Sequence, residues 1–355
     1  MISPTIDILV PVWNYPFETR ACLAAIITHS SGTRLIVVDN GSSRETQLML
    51  EEFSDSLGDQ GLFITSVKNI GLVAAINMGL AHSDSDYTVI VRPDVTVQAG
   101  WLEALVNTAE ATGAGVVSPL FRGTDAPNLP KLVSGCTTIE SCTVSFTTLL
   151  LRTKMRMVAG VFDEHLDGGE WCLKEYVRRV AAHGYRTCIT GRTRLSCSAG
   201  QQFGSVQRRN EMTQNSRSEY ISRWGIDRHY CVYFGMETGT GTLGDIVAAV
   251  LDGARQGHRF TLLLHRRQYA DFRKMGWGCL HTGIEMNRIS FLFPLRDLQR
   301  KVAVLRNASP DIVMVRGCSA IVFPGADAAI SQEDLLNSIR AHTTVVTSHP
   351  QEALP

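Results

Sequence analysis

The chain begins with an apolar run, Ile8-Leu9-Val10-Pro11-Val12, that stops abruptly at Trp13 and Asn14. A second run, Leu35-Ile36-Val37-Val38, stops at Asp39 and Asn40 and is followed by Gly41-Ser42-Ser43. A strand that is apolar at every position is buried on both faces, the situation of a parallel strand inside an α/β sheet. Between the two runs, Phe17–His29 carries Leu23, Ile26 and Ile27 at helical spacing. Strand and helix therefore alternate, and a mostly parallel sheet covered by helices on both faces is expected. In such sheets ligands meet the carboxyl ends of the strands, which brings Trp13, Asn14, Asp39 and Asn40 to one crevice. An aromatic face beside a carboxylate suits a nucleobase, which can stack on the ring while its N–H donates to the acid.

The alternation continues. Arg44–Leu57 has Leu50, Phe53 and Leu57 on one face, with Ser42 and Glu45 spaced as a capping box. Phe63–Val67, Tyr87–Val91, Gly115–Ser118 and Ser145–Leu151 read as strands, 119–142 as a long functional loop, and Gln207–Trp224 as a polar helix. After Trp224-Gly225 a second series begins: Cys231–Phe234, Arg259–His265, Arg288–Phe293, Asp311–Val315, Ala320–Phe323 and Thr343–Thr347 are expected strands. A chain of 355 residues exceeds one ordinary core. The expected domains are 1–226 and a smaller Rossmann-like α/β domain, 227–355.

Charge is balanced, with 34 basic and 34 acidic side chains, so nucleic acid is not an expected partner. Arginine doublets at 178–179, 208–209 and 266–267 suit solvated helix faces or an anionic membrane surface. Nine cysteines without a Cys-x-x-Cys pair argue against a disulfide framework or structural zinc and for a reducing cytosol. No stretch reads as a secretion signal or a bilayer span. The expected location is cytoplasmic, with peripheral association at the cytoplasmic face of a membrane.

Three further groups carry chemistry. Asn69-Ile70-Gly71 leads into a helical pattern through Asn77 and Gly79, where backbone N–H groups could meet a phosphate; the same spacing fits an ordinary turn with a small-residue packing face. Arg92-Pro93-Asp94 ends the Tyr87–Val91 strand, and its acid suits Mg2+ or Mn2+ on a diphosphate, or a plain turn. Gly239-Thr240-Gly241-Thr242-Leu243-Gly244 has phosphate-cradle spacing, but His265-Arg266-Arg267 stands where a dinucleotide site needs an acid. A docking turn that binds nothing is the preferred reading there.

In order along the chain, these segments resemble the family-two glycosyltransferases of the GT-A fold over roughly residues 5–225. Val10-Pro11-Val12-Trp13-Asn14 is similar to that family's opening strand, Asp39 to its base- and ribose-binding acid, and Asn69 to Gly79 to its Asn-x-Gly-x-x-x-Ala-x-Asn-x-Gly segment. Arg92-Pro93-Asp94 falls where the family has Asp-x-Asp or Asn-Pro-Asp, Gly160-Val161-Phe162-Asp163-Glu164 precedes its catalytic acid, and His183-Gly184-Tyr185-Arg186 follows it. The resemblance implies an inverting transferase that moves a sugar from a UDP or dTDP donor to a hydroxyl of a glycan, lipid-linked or protein-linked acceptor. It implies donor contacts from Pro11, Trp13, Asn14, Asp39, Asn69, Gly71, Asn77, Arg92 and Asp94. It also implies a divalent cation, manganese or magnesium, near Asp94 and Cys197. Arg92 in place of an aspartate or asparagine, and Cys197 in place of a histidine, put that cation in question, since a guanidinium can neutralise phosphate itself.

The family's Glu-Asp pair is missing from Gly168-Gly169-Glu170-Trp171-Cys172-Leu173-Lys174-Glu175. Glu170, after the glycines, is the preferred base; Glu175 fits by distance from Gly184 but reads better as a helix-surface acid facing Arg179. Trp171 is placed with the acceptor. The alternative to an enzyme is a sugar-nucleotide or glycan-binding module that kept the fold and lost the metal site. Nucleotidyl transfer ranks last, because Trp13–Thr19 contains neither glycine nor lysine.

Overall fold

A computed structural model describes residues 4–123, 126–132, 135–168, 170–198, 206–236, 238, 240–318, 321–326 and 328–347. The chain divides into two compact units: Met1–Leu132 with Thr143–Arg223, and Val133–Cys142 with Trp224–Pro355.

In the first unit, β1 (Ile6–Val12), α1 (Pro16–His29), β2 (Arg34–Asn40), α2 (Arg44–Leu57), β3 (Gly61–Ser66), α3 (Leu72–Leu80) and β4 (Tyr87–Val91) follow one another. They continue as β5 (Val95–Thr96), α4 (Trp101–Thr112) and β6 (Ala114–Arg122); β7 (Thr138–Glu140) belongs to the second unit. The first unit resumes with β8 (Thr148–Arg152), α5 (Thr153–Ala159), α6 (Trp171–Ala182), β9 (Arg186–Cys197) and α7 (Val206–Trp224). Its strands run β3-β2-β1-β4-β8-β6-β9-β5. β1 lies parallel between β2 and β4, whereas β8 is antiparallel to both β4 and β6.

The register Val12↔Asp39 puts the ends of β1 and β2 level. Alternation along the strands divides the core. Val10, Val12, Leu35 and Val37 pack with Leu23, Ile26 and Leu50 of α1 and α2, while Leu9 and Val38 meet α3. Gly79 makes that second contact possible, because a Cβ there would run into Leu9 and Val38 side chains. Ser42 does not cap α2; the N-cap is Ser43, without a side-chain capping bond to the helix backbone, and Ser42 is used elsewhere.

The second unit is a parallel sheet of β10 (His229–Tyr233), β11 (Arg259–Leu264), β12 (Ile284–Arg288) and β13 (Val313–Arg316), in the order β12-β11-β10-β13. Its helices are α8 (Thr240–Arg255), α9 (Arg266–Lys274), α10 (Pro294–Ala308) and α11 (Gln332–Thr347). Three strand expectations are corrected. The segment 289–293 is a loop after β12, because the ladder with β11 ends at Leu264↔Arg288. Residues 321–323 are irregular, and 343–347 close α11. Gly239 lies outside the described residues, as do the side chains of 240–242, and the cradle reading goes with them.

The cysteine reading is also corrected. Cys136 and Cys279, both in the second unit, form a disulfide with their Cα atoms 5.8 Å apart; the other seven cysteines are free. Sequence spacing could not reveal this pair, since 143 positions separate its members.

Candidate active site

The crevice at the ends of β1 and β2 is built by side chains that bond to neighbouring loops. Asn14 and Tyr15 have φ of 60° and 56°, a left-handed region that non-glycine residues rarely occupy in succession. Two bonds hold this turn: Asn14 N–H donates to Ser42 Oγ at 2.9 Å, and Ser43 N–H donates to Asn14 Oδ1 at 2.8 Å. Strained backbone kept by such bonds is characteristic of ligand-binding turns. Asp39, only 4 % exposed, accepts from Ser42 N–H at 2.9 Å, so one short loop ties Asn14 to Asp39. Pro11 is buried and Trp13 half-buried. Asp39 also borders a cavity of about 260 Å3 lined by Gln47, Leu50, Phe63 and Thr65; Trp13 is not part of that lining.

Asn40 organises the next loop. Its Oδ1 accepts from Ile70 N–H, and its amide donates to Gly71 O and to Asn69 Oδ1. Asn69 Oδ1 in turn accepts from Gly71 N–H at 2.9 Å. The start of α3 is thus set by β2. Gly71, at φ +99°, faces Asp167: a Cβ there would come within 2.6 Å of Asp167 Oδ2, which accepts from Leu72 N–H at 3.1 Å.

Asp167 did not emerge from the sequence. Burial pushes its carboxyl up to about 6, and Glu164 adds to the rise, outweighing the backbone N–H groups of Val73 and Leu72 that favour the charged form. The signal that could have found it is an acid just before Gly168-Gly169; Gly169 itself lies outside the described residues.

Asn77 is corrected. It is buried, its amide donating to Phe162 O and Glu164 Oε1 while its Oδ1 accepts from Phe162 N–H. It latches the 162–164 segment onto α3 and is occupied there, so the expected donor contact is not available to it.

Arg92 and Asp94 also depart from expectation. The guanidinium grips the carboxylate with both Nε, at 2.6 Å, and a terminal nitrogen. The Asp94 side chain is fully buried and that of Arg92 is 20 % exposed. The cation expected to meet phosphate and the acid expected to meet a metal therefore bind each other. Cys197 stands in register with Val95, its thiol raised to about 11 by burial and then by Asp94. Among the described residues no three His, Cys, Asp or Glu side chains converge as a metal site. A soft, protonated thiol and an arginine-bound carboxylate do not fit a hard divalent cation.

Glu170 is the exposed N-cap of α6. Trp171 packs on Tyr220 at 5.3 Å between ring centres, with the Lys174 ammonium over its face at 4.8 Å. Glu175 is buried rather than on the surface. Arg179 holds both its oxygens, at 2.7 and 2.9 Å, and also donates to Ala159 and Val161 carbonyls. Burial raises the Glu175 carboxyl and Arg179 opposes that rise. It is a structural acid, closed to an acceptor hydroxyl. The neighbouring Arg178 is buried too, donating to Tyr220 Oη at 2.9 Å, so the 178–179 doublet faces neither solvent nor membrane.

Residues 7–158 match the family model Glycosyl transferase family 2. Among curated proteins, Glycosyltransferase GlyA of Streptococcus pneumoniae is 30 % identical over 106 residues, covering 30 % of this chain and 15 % of that protein. The Pre-mycofactocin glycosyltransferase of Mycobacterium tuberculosis is 25 % identical over 277 residues, covering 70 % and 57 %. The chain thus spans less than two thirds of either relative. Among solved structures, GalNAc-T7 with UDP, GalNAc and Mn2+ aligns with a TM-score of 0.53 at 14 % identity, over 62 % of this chain and 48 % of that one. The mannosyltransferase PcManGT of Pyrobaculum calidifontis, in complex with GDP-Man and Mn2+, aligns with a TM-score of 0.51 at 14 % identity, over 98 % and 86 %. No helix among the described residues is long and apolar enough to cross a membrane. Over residues 7–158 the sequence matches glycosyl transferase family 2, and the fold is that of the GT-A glycosyltransferase structures.

Proposed function

We propose that the first unit transfers a sugar from a nucleoside diphosphate sugar, of UDP or dTDP type, to a hydroxyl acceptor in glycan biosynthesis, inverting the anomeric centre. The observation that carries this reading is the pinned crevice, in which Asn14, Ser42 and Asp39 form one bonded loop inside the family-matched segment. The UDP and GDP-Man bound in the two structural neighbours support a nucleoside diphosphate sugar as donor class.

In this reading Asp39 receives a base or ribose donor and Trp13 offers a stacking face, while the Ile70 and Gly71 N–H groups stay bonded to the Asn40 and Asn69 side chains. Glu170 takes the acceptor proton as that oxygen bonds to the anomeric carbon and the bond to the diphosphate breaks. The nucleoside diphosphate leaves with the electron pair. Trp171 supplies an apolar wall for the acceptor. No step is routed through a metal.

A second reading makes Asp167 the base, favoured by a carboxyl poised near 6 at the start of α3. Release of nucleoside diphosphate from UDP- and dTDP-sugars tests both. Glu170→Gln is expected to lower turnover roughly 10²–10⁴-fold with donor affinity kept. A large loss in Asp167→Asn with Glu170→Gln unaffected would move the base to Asp167. Donor binding without turnover under any acceptor would favour the binding-module alternative.

A further inference from the structure

The second unit carries an exposed apolar loop. In the loop between β12 and α10, Phe291, Leu292 and Phe293 are 73, 77 and 64 % exposed, and Leu295, in the first turn of α10, is 60 % exposed. Four large apolar side chains within five positions form a patch of the kind that marks an interaction site. The loop beneath them is firmly held. Ile289 is buried, and its N–H donates to Leu264 O at 2.8 Å. Ser290 N–H donates to Asp297 Oδ2 at 2.9 Å, and Asp297 N–H donates to Phe293 O at 3.0 Å. The apolar groups are therefore presented by a fixed turn.

Charge surrounds them. Arg266 and Arg288 line, with Phe291 and Leu292, a depression of about 480 Å3, and the Arg266 guanidinium lies over the Phe291 ring at 5.9 Å. Arg267 and Arg296 are exposed in the first turns of α9 and α10. The acid in that lining, Asp297, is paired with Arg300 at 3.0 Å and Lys301 at 3.5 Å.

An apolar tip with a collar of arginines matches the interface of an anionic bilayer. The hydrocarbon side chains enter the acyl boundary while guanidiniums meet lipid phosphates at headgroup depth. The geometry points to Phe291–Leu295 as a membrane-insertion loop that docks this chain on an anionic lipid surface, with Arg266, Arg288 and Arg296 as its phosphate contacts. This is independent of the donor site.

Flotation of the full chain with phosphatidylcholine vesicles, with and without phosphatidylglycerol, tests it. Binding is expected to anionic vesicles alone and to weaken with salt. The triple variant F291S/L292S/F293S should lose binding roughly tenfold or more with its circular dichroism unchanged. The pair R266E/R288E should abolish the preference for phosphatidylglycerol. Equal flotation of wild type and triple variant, or no flotation of wild type with either vesicle, would overturn the assignment. So would size-exclusion showing a wild-type dimer that the triple variant dissolves, since the patch would then be a contact between copies of this chain.

Discussion

Replacing Arg92 by alanine removes both donors from a carboxylate that has no access to water. A buried ion pair contributes modestly as a pair, but stripping one partner leaves an uncompensated charge and costs about 3–5 kcal/mol. Asp94 lies at this extreme, with its side chain fully buried and its Arg92 partner only 20 % exposed. For a unit of this size each kcal/mol moves the melting point by about 2–4 °C, so Arg92→Ala should melt roughly 6–20 °C lower by calorimetry. The double variant Arg92→Met with Asp94→Asn removes both charges and should recover most of that loss. Arg92→Asp instead places a second acid beside Asp94, and added Mn2+ should raise its melting point while leaving the wild type unmoved. Consistent with the pair, wild-type turnover should survive exhaustive chelation. An Arg92→Ala protein that melts within a degree or two of wild type would refute the reasoning, as would full loss of wild-type turnover in EDTA rescued by Mg2+.

Two further outcomes follow from the described groups. Asp167 titrates at about 6 in the folded chain against an ordinary 3.8, so the folded state holds its proton more tightly and stability falls as pH rises from about 4 through 6. Asp167→Asn keeps an acceptor for Leu72 N–H and should flatten that slope, leaving the protein at least as stable as wild type near pH 7 by denaturant melts. Thiol titration of unreduced, unfolded protein should count seven free cysteines, rising to nine after reduction; nine from the start would deny the Cys136–Cys279 bond.

Where a local pattern determined local structure, the sequence was legible. The apolar runs of β1, β2 and β4 were readable because burial on both faces leaves no other strand pattern, and α2 because its apolar face repeats every turn. The Arg288–Phe293 strand failed for the same reason: an apolar run reads as buried, whereas the ladder with β11 ends at Arg288 and the Phe291, Leu292 and Phe293 side chains are exposed. Residues whose role depends on a distant partner were misjudged. Asn77 looked like a donor contact until Phe162, 85 positions away, occupied its amide. Arg92 and Asp94 are two positions apart, yet sequence treated them as separate ligands, because backbone direction after Pro93 decides whether they face each other. Asp167 was invisible because burial in the fold, with Glu164 nearby, is what raises its carboxyl. Cys136 and Cys279 were unpairable without the fold that brings them together.

Titration calorimetry with UDP and dTDP reaches the crevice at the ends of β1 and β2 directly. Wild type should bind one of these nucleotides, and Asp39→Ala should weaken that binding roughly 5–150-fold, the loss of a hydrogen-bonded charged partner worth about 1–3 kcal/mol. Equal affinity in the two proteins would place the nucleotide elsewhere and contradict the assigned site.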